Sequence, residues 1–453
     1  MKTDEYIASI LDSIKESSPG QDEFYQAAEE VLNTIAPLLE KEPKYMENGI
    51  LERLVVPERS MLFRVCWLDD EGKTRTNLGY RVQFNSAIGP YKGGLRFHPS
   101  VNLGIIKFLG FEQIFKNSLT GLQIGGGKGG SNFDPKGKSN NEIMKFCQSF
   151  MTELYRHIGE TRDVPAGDIG VGAREIGYLY GQYKKITGSF EGVLTGKGIN
   201  WGGSLARTQA TGYGSVYFAQ NIFKKQDMNL KGMVCSVSGS GNVATYTIEK
   251  LHELGALPVS CSDSRGTIYQ PSGIVVETLR HVKEEMRASL EEYAKLEPSA
   301  TYIPLSAYPE GRHATWDIKC DIAFPSATQN ELNLDDAKKL VENGCLLVNE
   351  GANMPSTLDA IEYLTTNGVK FGPAKAANAG GVAVSQLEMS QNASMERWSF
   401  EDVDKKLFNI MLGIFNKSYD TSVEFGREGD LIMGANIAGF RKVADSMIDE
   451  GAI

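Results

Sequence analysis

The pattern of apolar and polar positions divides the chain into a mixed first half and a second half in which strands and helices alternate. Apolar residues recur at helical spacing over roughly the first forty residues, as at Val31, Ile35 and Leu38, which predicts helices there. The segments SMLFRVCWL and GYRVQFNSA alternate apolar with polar residues, as half-buried strands do. A helical pattern follows from Asn102 to Lys116. The first half therefore combines helices with a predicted sheet.

A second unit is predicted from near Arg207 onward. A helical segment (209–223) precedes the strand KGMVCSVSG, the helix NVATYTIEKLHELG and the strand PVSCSDS, which is the order of a βαβ unit. Further strand-like segments follow (CDIAFPSA, CLLVNEGA and VKFGPAKAA), and the last region is amphipathic helix. Since 453 residues are too many for one ordinary domain, we predict an α/β protein of two domains. The predicted boundaries are 1–205 for the first domain, 206–380 for the second, and 381–453 for C-terminal helices that return to the first.

Composition narrows the class of protein. A formal net charge of −10 argues against nucleic acid or an anionic membrane as the main partner, because both favour clustered Lys and Arg. We find no apolar run of the roughly 18 residues that a membrane span needs. The N-terminal residues lack a signal or transit pattern, so we predict a cytoplasmic protein. The six cysteines and five histidines show no metal-ligand spacing, which predicts reduced core cysteines and no metal site.

The first turn of the βαβ unit carries a dinucleotide signature. Its sequence SGSGNVA, starting at Ser238, has the spacing G-x-G-x-x-A through Gly239, Gly241 and Ala244, after a strand and at the start of a helix. A pyrophosphate would rest on the helix N-terminus and on the amides of Ser240, Asn242 and Val243. The alternative is a merely tight turn. We therefore predict a Rossmann-type dinucleotide-binding domain.

The choice between the two nicotinamide dinucleotides is left open by the local residues. Asp263 ends the second strand, where a carboxylate would accept hydrogen bonds from a ribose 2′-hydroxyl and favour NAD. Ser264 and Arg265 follow directly, and a hydroxyl with a guanidinium could bind the 2′-phosphate of NADP. These signals conflict.

A single lysine among glycines, Lys128 in QIGGGKGG, is a candidate general base. Residues without side chains would let an ammonium group approach a small ligand closely, and desolvation would lower the pKa of Lys128. The spacing does not fit a phosphate-binding P-loop, since Leu122 and Gly129 stand where glycine and Ser or Thr are required. A plain glycine-rich turn with a solvated lysine remains the alternative.

Other charged residues could join Lys128 in one pocket. Lys92 lies in KGGLRFHP, Asp168 in VPAGDIGVG, and Gln113 and Lys116 share a side of the predicted helix because they are three residues apart. Three lysines and one aspartate would suit a ligand with two carboxylates and a proton-transfer step. The alternative is that they are separate, solvated loop residues.

Eight motifs in order resemble those of the glutamate dehydrogenases, over most of the chain. They are KGGLRF, the Gln113/Lys116 helix, GGGKGG, PAGDIGVG, SGSGNVA, PSATQNEL, NEGANMP and AANAGGVAVS. The length and the SDSRG segment resemble the smaller, hexameric, NADP-linked branch. The resemblance implies a substrate-binding and oligomerisation domain separated by a cleft from the Rossmann domain. It also implies NADP (NADPH) as cofactor, a homohexamer, and 2-oxoglutarate, ammonium and glutamate as substrates.

The resemblance also implies residue roles. Lys92 would bind the distal carboxylate with Ser385 and Arg207, and Gln113 and Lys116 the α-carboxylate. Lys128 would take a proton from the water that attacks the iminium, while Asp168 would pass protons to and from the amino nitrogen. Gly167 and Asn378 would also lie at the substrate. The cofactor contacts would be Thr211, Ser238, Gly239, Ser240, Gly241, Asn242, Val243, Asp263, Ser264, Arg265, Ala327, Thr328 and Asn353.

Three alternatives are kept. One is a glutamate dehydrogenase that prefers NAD. A leucine, valine or phenylalanine dehydrogenase would need an apolar pocket where Lys92 and Ser385 are polar, and burying an unpaired lysine is unfavourable. A non-catalytic dinucleotide sensor would be marked by loss of Lys128 or Asp168, and both are present. The physiological direction of the reaction and any allosteric effector are not predicted.

Overall fold

The computed structural model describes residues 2–452, which form two compact units. Unit 1 contains the chain up to Arg207, Val382–Val403 and the chain from Ala435 onward. Unit 2 contains Thr208–Gly381 and Asp404–Gly434. The mixed α/β class and the two-domain organisation predicted from the sequence are confirmed.

The C-terminal helices differ from the prediction that all of 381–453 returns to the first domain. Asp404–Gly434 groups with unit 2. The hydroxyl of Tyr217 donates to Asp404 at 2.7 Å, and the rings of Tyr217 and Phe408 meet edge-on at 5.2 Å. The Lys250 ammonium lies 3.5 Å from the same carboxylate. An amphipathic pattern predicts that a helix buries one face, but it does not say against which partner.

Unit 1 is built around a mixed five-stranded sheet in the order β1-β2-β4-β3-β5. Strand β2 is antiparallel to β1 and β4, whereas β3 is parallel to β4 and β5. The elements are α1 (Thr3–Ser17), α2 (Asp22–Thr34), α3 (Ala36–Lys41), α4 (Lys44–Glu47), α5 (Ile50–Leu54), β1 (Arg59–Leu68), β2 (Thr74–Asn85), β3 (Tyr91–Phe97), α6 (Leu103–Leu119), β4 (Gly125–Ser131), α7 (Asn140–Leu154), β5 (Asp163–Gly167) and α8 (Ala173–Thr187). Aromatic rings fill the core beneath β1, with Phe133 stacked on Phe146 at 3.8 Å.

The glycine run around Lys128 is a buried strand, β4, and not the turn considered from the sequence. On one face, helix α6 packs so closely that a Cβ at Gly126 would lie 2.5 Å from the Ile114 side chain. On the other face, the Arg81 side chain crosses the sheet to form a buried ion pair with Asp163 on β5. A Cβ at Gly129 would lie 3.0 Å from Arg81 Cδ. Gly126 on one face and Gly129 on the other therefore leave no room for a side chain, while Lys128 lies between them.

Unit 2 contains a parallel five-stranded sheet in the order β13-β12-β11-β6-β7 and a separate three-stranded sheet, β10-β9-β8. The elements are α9 (Ala210–Lys224), β6 (Val234–Val237), α10 (Asn242–Glu253), β7 (Leu257–Pro258), β8 (Ser260–Asp263), β9 (Gly266–Tyr269), α11 (Val276–Arg280), α12 (Leu290–Leu296), β10 (Thr301–Pro304), α13 (Ala314–Asp317), β11 (Ile322–Phe324), α14 (Leu334–Glu342), β12 (Leu347–Asn349), α15 (Leu358–Thr366), β13 (Lys370–Gly372) and α16 (Ala374–Ala377). The last helices are α17 (Gly380–Ser394), α18 (Phe400–Glu424) and α19 (Leu431–Asp449). A π-helical turn, His281–Glu285, follows α11.

The predicted βαβ unit is present as β6, α10 and β7, with β6 parallel to β7. The chain moves from β6 to one side of the sheet at β7 and returns on the other side at β11. In such sheets, ligands bind where the strand order reverses, at the carboxyl ends of the strands. Residues that follow β6, β11, β12 and β13 are therefore brought to one edge of unit 2.

Five of the six free cysteines are buried, but Cys66 is exposed on β1, against the prediction that all are core residues. Alternation along β1 turns Cys66 away from the core that its neighbours Val65 and Trp67 enter. Within residues 2–452, no helix combines the length and apolarity that crossing a membrane requires.

Candidate active site

One face of strand β3 organises the charged residues of unit 1. Lys92 and Arg96 are four residues apart on the strand, so their side chains share a face with Gly94 between them. The backbone after β5 brings Asp168 over this gap, where a Cβ on Gly94 would lie 2.9 Å from the Asp168 Cβ. Lys128 on β4 is then placed beside Asp168, since β4 is the parallel neighbour of β3.

Asp168 is held by two cations at one oxygen. Lys128 Nζ lies 3.1 Å from Asp168 Oδ2, and Arg96 Nε donates to the same oxygen at 2.8 Å. The Lys128 side chain is 7% exposed and that of Asp168 is 17% exposed, so solvent screens this pair only partly. Lys128 and Asp168, two of the four charged residues that the sequence analysis grouped in one pocket, are thus in contact in unit 1.

The surroundings change the pKa of both groups. Burial lowers the pKa of Lys128, Asp168 opposes that shift, and the positive charges of Arg96 and Arg81 add to it. Burial would raise the pKa of Asp168, but the charges and hydrogen bonds of Lys128 and Arg96 outweigh burial and lower it to about 2. The arrangement favours an ionised aspartate beside a lysine that loses its proton more readily than usual.

Lys92 is a buried cation with one hydrogen bond. Its Nζ donates to Thr195 Oγ1 at 2.8 Å, and the residue is 1% exposed. Burial lowers the pKa of Lys92 well below its usual range, and the positive charges of Arg207 and Arg81 lower it further. A buried ammonium of this kind is poised to gain stabilisation from an anionic ligand.

Gln113 and Lys116 both lie on α6, half-buried, as the helical spacing predicted. The Gln113 side chain donates to Asn117 Oδ1 at 2.6 Å. Asn117 in turn donates to the carbonyl of Lys92 at 3.1 Å. A Cβ at Gly93 would lie 3.5 Å from Gln113 Cγ, so α6 approaches the sheet beside Lys92.

The remaining predicted substrate residues of unit 1 lie on three segments. Gly167 is the last residue of β5 and pairs with Leu95 of β3. Arg207 has a buried Nε without a hydrogen-bond partner, which is unusual for a donor in a folded protein. Ser385 is buried in α17, three residues before Glu388, whose carboxylate lies 2.9 Å from Lys197 Nζ.

In unit 2 the glycine-rich turn lies between β6 and α10, as predicted. Gly239 has φ +85°, and a Cβ there would lie 3.0 Å from the carbonyl oxygen of Ser326, so glycine is required. The Ser238 hydroxyl accepts from the Ser326 amide at 2.8 Å. Gly241 is the N-cap of α10, which has no side-chain cap, and Ser240, Asn242 and Val243 surround it. Thr211 is near the start of α9, which packs on α10 through Gly212.

The other predicted cofactor residues follow β11 and β12, and the predicted substrate residue Asn378 follows β13. A half-buried glutamate, Glu331, accepts the amides of Ala327 at 2.9 Å and Thr328 at 3.3 Å through one oxygen. Asn378 donates to Asn353 Oδ1 at 3.0 Å, while its own Oδ1 is buried without a partner. The N-terminus of α10, which has no side-chain cap, presents amide donors of the kind that bind phosphate.

The contacts of Asp263 bear on the choice between NAD and NADP, which the sequence left open. One oxygen accepts from Lys283 Nζ and from the Leu290 amide, both at 3.0 Å, and the other accepts the Arg265 amide at 2.9 Å. Burial would raise the pKa of Asp263, but these hydrogen bonds lower it. Ser264 and Arg265 are exposed in the turn that follows. The carboxylate is thus engaged within the protein, and Lys283 balances its charge.

Several residues of the candidate sites were not predicted from the sequence. Arg96 was part of a quoted motif, and its spacing from Lys92 along a strand would have placed both on one face. Thr195 and Lys283 contact partners that are distant along the chain, and no local pattern marks them. Glu331 lies within the quoted motif PSATQNEL and accepts the amide of Ala327, four residues earlier, so the signal for it was local.

A glycine-rich turn on a parallel sheet is typical of dinucleotide-binding proteins, and comparison with known proteins extends this result. Residues 202–451 match the family model Glutamate/Leucine/Phenylalanine/Valine dehydrogenase, and residues 57–185 match the Glu/Leu/Phe/Val dehydrogenase dimerisation domain. The chain is 59% identical to the NADP-specific glutamate dehydrogenase of Helicobacter pylori, covering 98% of this chain and 100% of that protein. It is 53% identical to the NADP-specific glutamate dehydrogenase of Escherichia coli, covering 99% of each.

A solved structure agrees with these matches. The crystal structure of Plasmodium falciparum glutamate dehydrogenase superimposes with a TM-score of 0.96 at 54% identity, covering 100% of this chain and 96% of that one. The chain belongs to the Glu/Leu/Phe/Val dehydrogenase family.

Proposed function

We propose that this protein is an NADP-dependent glutamate dehydrogenase. It converts 2-oxoglutarate, ammonium, NADPH and a proton into L-glutamate, NADP⁺ and water, and the reaction is reversible. The observation that carries the proposal is the Lys128–Asp168 ion pair on the same sheet face as the buried Lys92, which has no carboxylate at ion-pair distance within residues 2–452. The full-length relatives named NADP-specific glutamate dehydrogenase support it.

The charges of unit 1 suit a diacid. Lys92, with Ser385 and Arg207, takes the distal carboxylate, which gives the buried ammonium a counter-ion. Gln113 and Lys116 take the α-carboxylate, and Gly167 completes the substrate contacts of unit 1. A leucine or phenylalanine side chain would leave Lys92 buried without an anion, which is unfavourable.

Lys128 and Asp168 carry out the proton transfers. In glutamate oxidation, water attacks Cα of the iminium: the carbon–oxygen bond forms, the carbon–nitrogen π pair moves to nitrogen, and the water proton goes to the Lys128 amine. The lowered pKa of Lys128 makes that amine available. The Asp168 carboxylate then relays the proton from the Lys128 ammonium to the amino nitrogen. The carbon–nitrogen bond breaks, the hydroxyl becomes the carbonyl, and the hydroxyl proton leaves on the nitrogen as ammonium, which the ionised carboxylate favours.

Unit 2 fits the dinucleotide. The uncapped N-terminus of α10 and the amides of Ser240, Asn242 and Val243 provide donors for the pyrophosphate. NADP supplies the hydride acceptor when bound. Because Asp263 is already hydrogen-bonded and balanced by Lys283, Ser264 and Arg265 are available for a 2′-phosphate. Thr211, Ser238, Gly239, Gly241, Ala327, Thr328 and Asn353 line the proposed path of the cofactor.

The test is the initial rate of NADPH oxidation with 2-oxoglutarate and ammonium, compared with NADH at equal concentration. We expect turnover with a strong preference for NADPH. Replacement of 2-oxoglutarate by the 2-oxo acids of leucine or phenylalanine is the specificity control. A higher rate with those acids would refute the diacid assignment, and a preference for NADH would refute the assignment of NADP.

We also propose a cytoplasmic homohexamer. The edge strand β1 and its neighbour β2 carry exposed leucines on one face, namely Leu62, Leu68 and Leu78. A contiguous exposed apolar patch commonly marks an interface. Light scattering after size-exclusion chromatography should give the mass of six 49.7-kDa chains; the mass of one chain would refute the assembly.

A further inference from the structure

We propose that Arg96 is a positioning residue that keeps Asp168 ionised and correctly oriented while Lys128 gains and releases its proton. This inference rests on the proposed function, because it gives Arg96 a task in the same proton-transfer reaction. It starts from the contact of Arg96 Nε with Asp168 Oδ2 at 2.8 Å, the oxygen that Lys128 also approaches.

The strand geometry fixes this contact. Arg96 and Lys92 share one face of β3, and Gly94 between them provides the space in which Asp168 lies. Both contacting side chains are largely buried, at 16% exposure for Arg96 and 17% for Asp168. An ion pair so placed is stronger than one on an exposed surface, where such pairs contribute little.

The two cations around Asp168 differ in what they can do. Lys128 must lose its proton to accept one from water, and at that moment it ceases to be a counter-ion for Asp168. Arg96 keeps its charge throughout, because a guanidinium does not deprotonate in proteins. With Arg96 present, one positively charged group always remains beside Asp168 Oδ2. Without it, the carboxylate would depend on Lys128 alone and would hold the lysine proton more tightly.

The other charges near this centre come from different elements. Arg81 on β2 adds positive charge from the opposite face of the sheet, where it is paired with Asp163 of β5. Lys116 lies on α6, and Lys92 lies on β3 beside Thr195. Arg96 differs from Arg81, which bonds to Asp163, and from Lys92, which bonds to Thr195, by its direct hydrogen bond to Asp168.

The charge of Arg96 changes the pKa of both catalytic groups in the same direction. Arg96 lowers the pKa of Lys128, and it lowers the pKa of Asp168. Removing its charge raises both. Because Lys128 must be an amine to accept the water proton, the acid limb of the kcat profile for glutamate oxidation moves to higher pH.

The experiment compares Arg96→Gln and Arg96→Lys with the wild-type enzyme over a range of pH. For Arg96→Gln we expect kcat to fall about tenfold or more and the acid limb to rise by about one pH unit, with the KM for glutamate changed less than about threefold. Arg96→Lys keeps the charge, so its acid limb should stay within about 0.3 pH unit of wild type while kcat falls less. Arg96→Met, which fills a similar volume, carries the same expectation if Arg96→Gln does not fold.

The matched control is Arg75→Gln. Arg75 Nε donates to Asp69 Oδ2 at 2.7 Å, the same kind of bond in the same unit, and this variant should leave the profile unchanged. An unmoved acid limb in Arg96→Gln would overturn the proposal, as would a large rise in KM with unchanged kcat, which would make Arg96 a substrate ligand. If the wild-type enzyme does not oxidise glutamate, the proposed function fails and the role of Arg96 fails with it; turnover with unmoved limbs defeats the role of Arg96 alone.

Discussion

At the scale of single residues, the substrate side of this protein is defined by charges that the fold leaves incompletely paired. Lys92 has a hydroxyl as its hydrogen-bond partner and no carboxylate at ion-pair distance among the described residues. Lys197, by contrast, is buried against Glu388 at 2.9 Å. A folded protein tolerates an unpaired buried cation at a cost in stability, which a bound anion offsets. Binding and stability should therefore change in opposite directions at Lys92.

The substitution Lys92→Met tests this opposition. We expect the KM for 2-oxoglutarate to rise about a hundredfold, while the ligand-free protein gains about 1–3 kcal/mol because no charge is buried. The pKa of Lys92 is depressed in the folded state, so wild-type stability rises with pH above that pKa, up to the pKa of the unfolded state. The advantage of the variant should shrink as pH rises from the lowered folded-state pKa of Lys92 toward its unfolded-state pKa. Thermal unfolding at several pH values measures it, and a destabilised variant would contradict this account.

The pH dependence of stability that Glu331 causes is opposite in sign to that of Lys92. Burial raises its pKa to about 7, although the amides of Ala327 and Thr328 oppose the shift. The folded state then holds a proton that the unfolded state has lost, so wild-type stability falls as pH rises from about 4.5 to about 7. Glu331→Gln keeps the accepting oxygen, and its stability advantage should grow to about 2–3 kcal/mol over that range. Denaturant unfolding measures the trend; Glu342→Gln, on the exposed side of α14, controls for the lost charge and should not reproduce it.

At the scale of elements, glycines decide where strands and helices can meet around the site. Strand β4 has α6 on one face and the Arg81 side chain on the other, and β3 needs Gly94 so that Asp168 can lie over it. These contacts explain why the sequence pattern did not predict a strand at the glycine run around Lys128. Strand prediction relies on alternating apolar residues, and a run of glycines has none. Close approach of backbones was the tertiary reason for the run, and a single sequence does not contain it.

Gly94→Ala tests the packing of β3. The added Cβ would lie 2.9 Å from the Asp168 Cβ and 2.7 Å from the carbonyl oxygen of Gly167, so either the backbone after β5 or β3 itself must move. We expect a loss of about 1–3 kcal/mol in the free energy of unfolding and a larger proportional loss of kcat than of cofactor affinity. The control is Gly181→Ala on α8, where a Cβ meets nothing within 4 Å and helix propensity improves. Equal kcat for Gly94→Ala and wild type would show that Asp168 is not held in this way.

Local elements were otherwise predictable from sequence to the extent that their signals were local. The dinucleotide turn was found because its glycines, strand and helix are consecutive, and the structure has β6, Gly239 and α10 in that order. The lysines and Asp168 were grouped only by chemistry, since their contacts join strands that are distant in sequence. Arg96 was missed for the same reason, whereas the partners of Glu331 are the amides of Ala327 and Thr328, close by in sequence.

At the scale of the whole molecule, pattern identified which helices are amphipathic but not which unit they join. Asp404–Gly434 was assigned to the first domain, yet Asp404 bonds to Tyr217 in unit 2. The outer face of the β1–β2 hairpin is also apolar, but in this case the face is exposed. Its inner face packs Val65 and Trp67 into the core of unit 1, whereas the exposed face carries Leu62 at 61% and Leu68 at 47% exposure. An edge strand with an apolar exposed face needs a partner or aggregates.

Leu62→Asp tests whether another copy of the chain covers this face. A carboxylate buried in an apolar contact is strongly unfavourable, and a symmetric assembly repeats the change in every subunit. We expect the assembly to dissociate to smaller species while circular dichroism shows retained secondary structure. Leu358→Asp is the control: Leu358 is 57% exposed at the start of α15 in unit 2, and its replacement should leave the mass unchanged. Light scattering after size-exclusion chromatography measures both, and an undiminished mass for Leu62→Asp would place the subunit contacts on another surface.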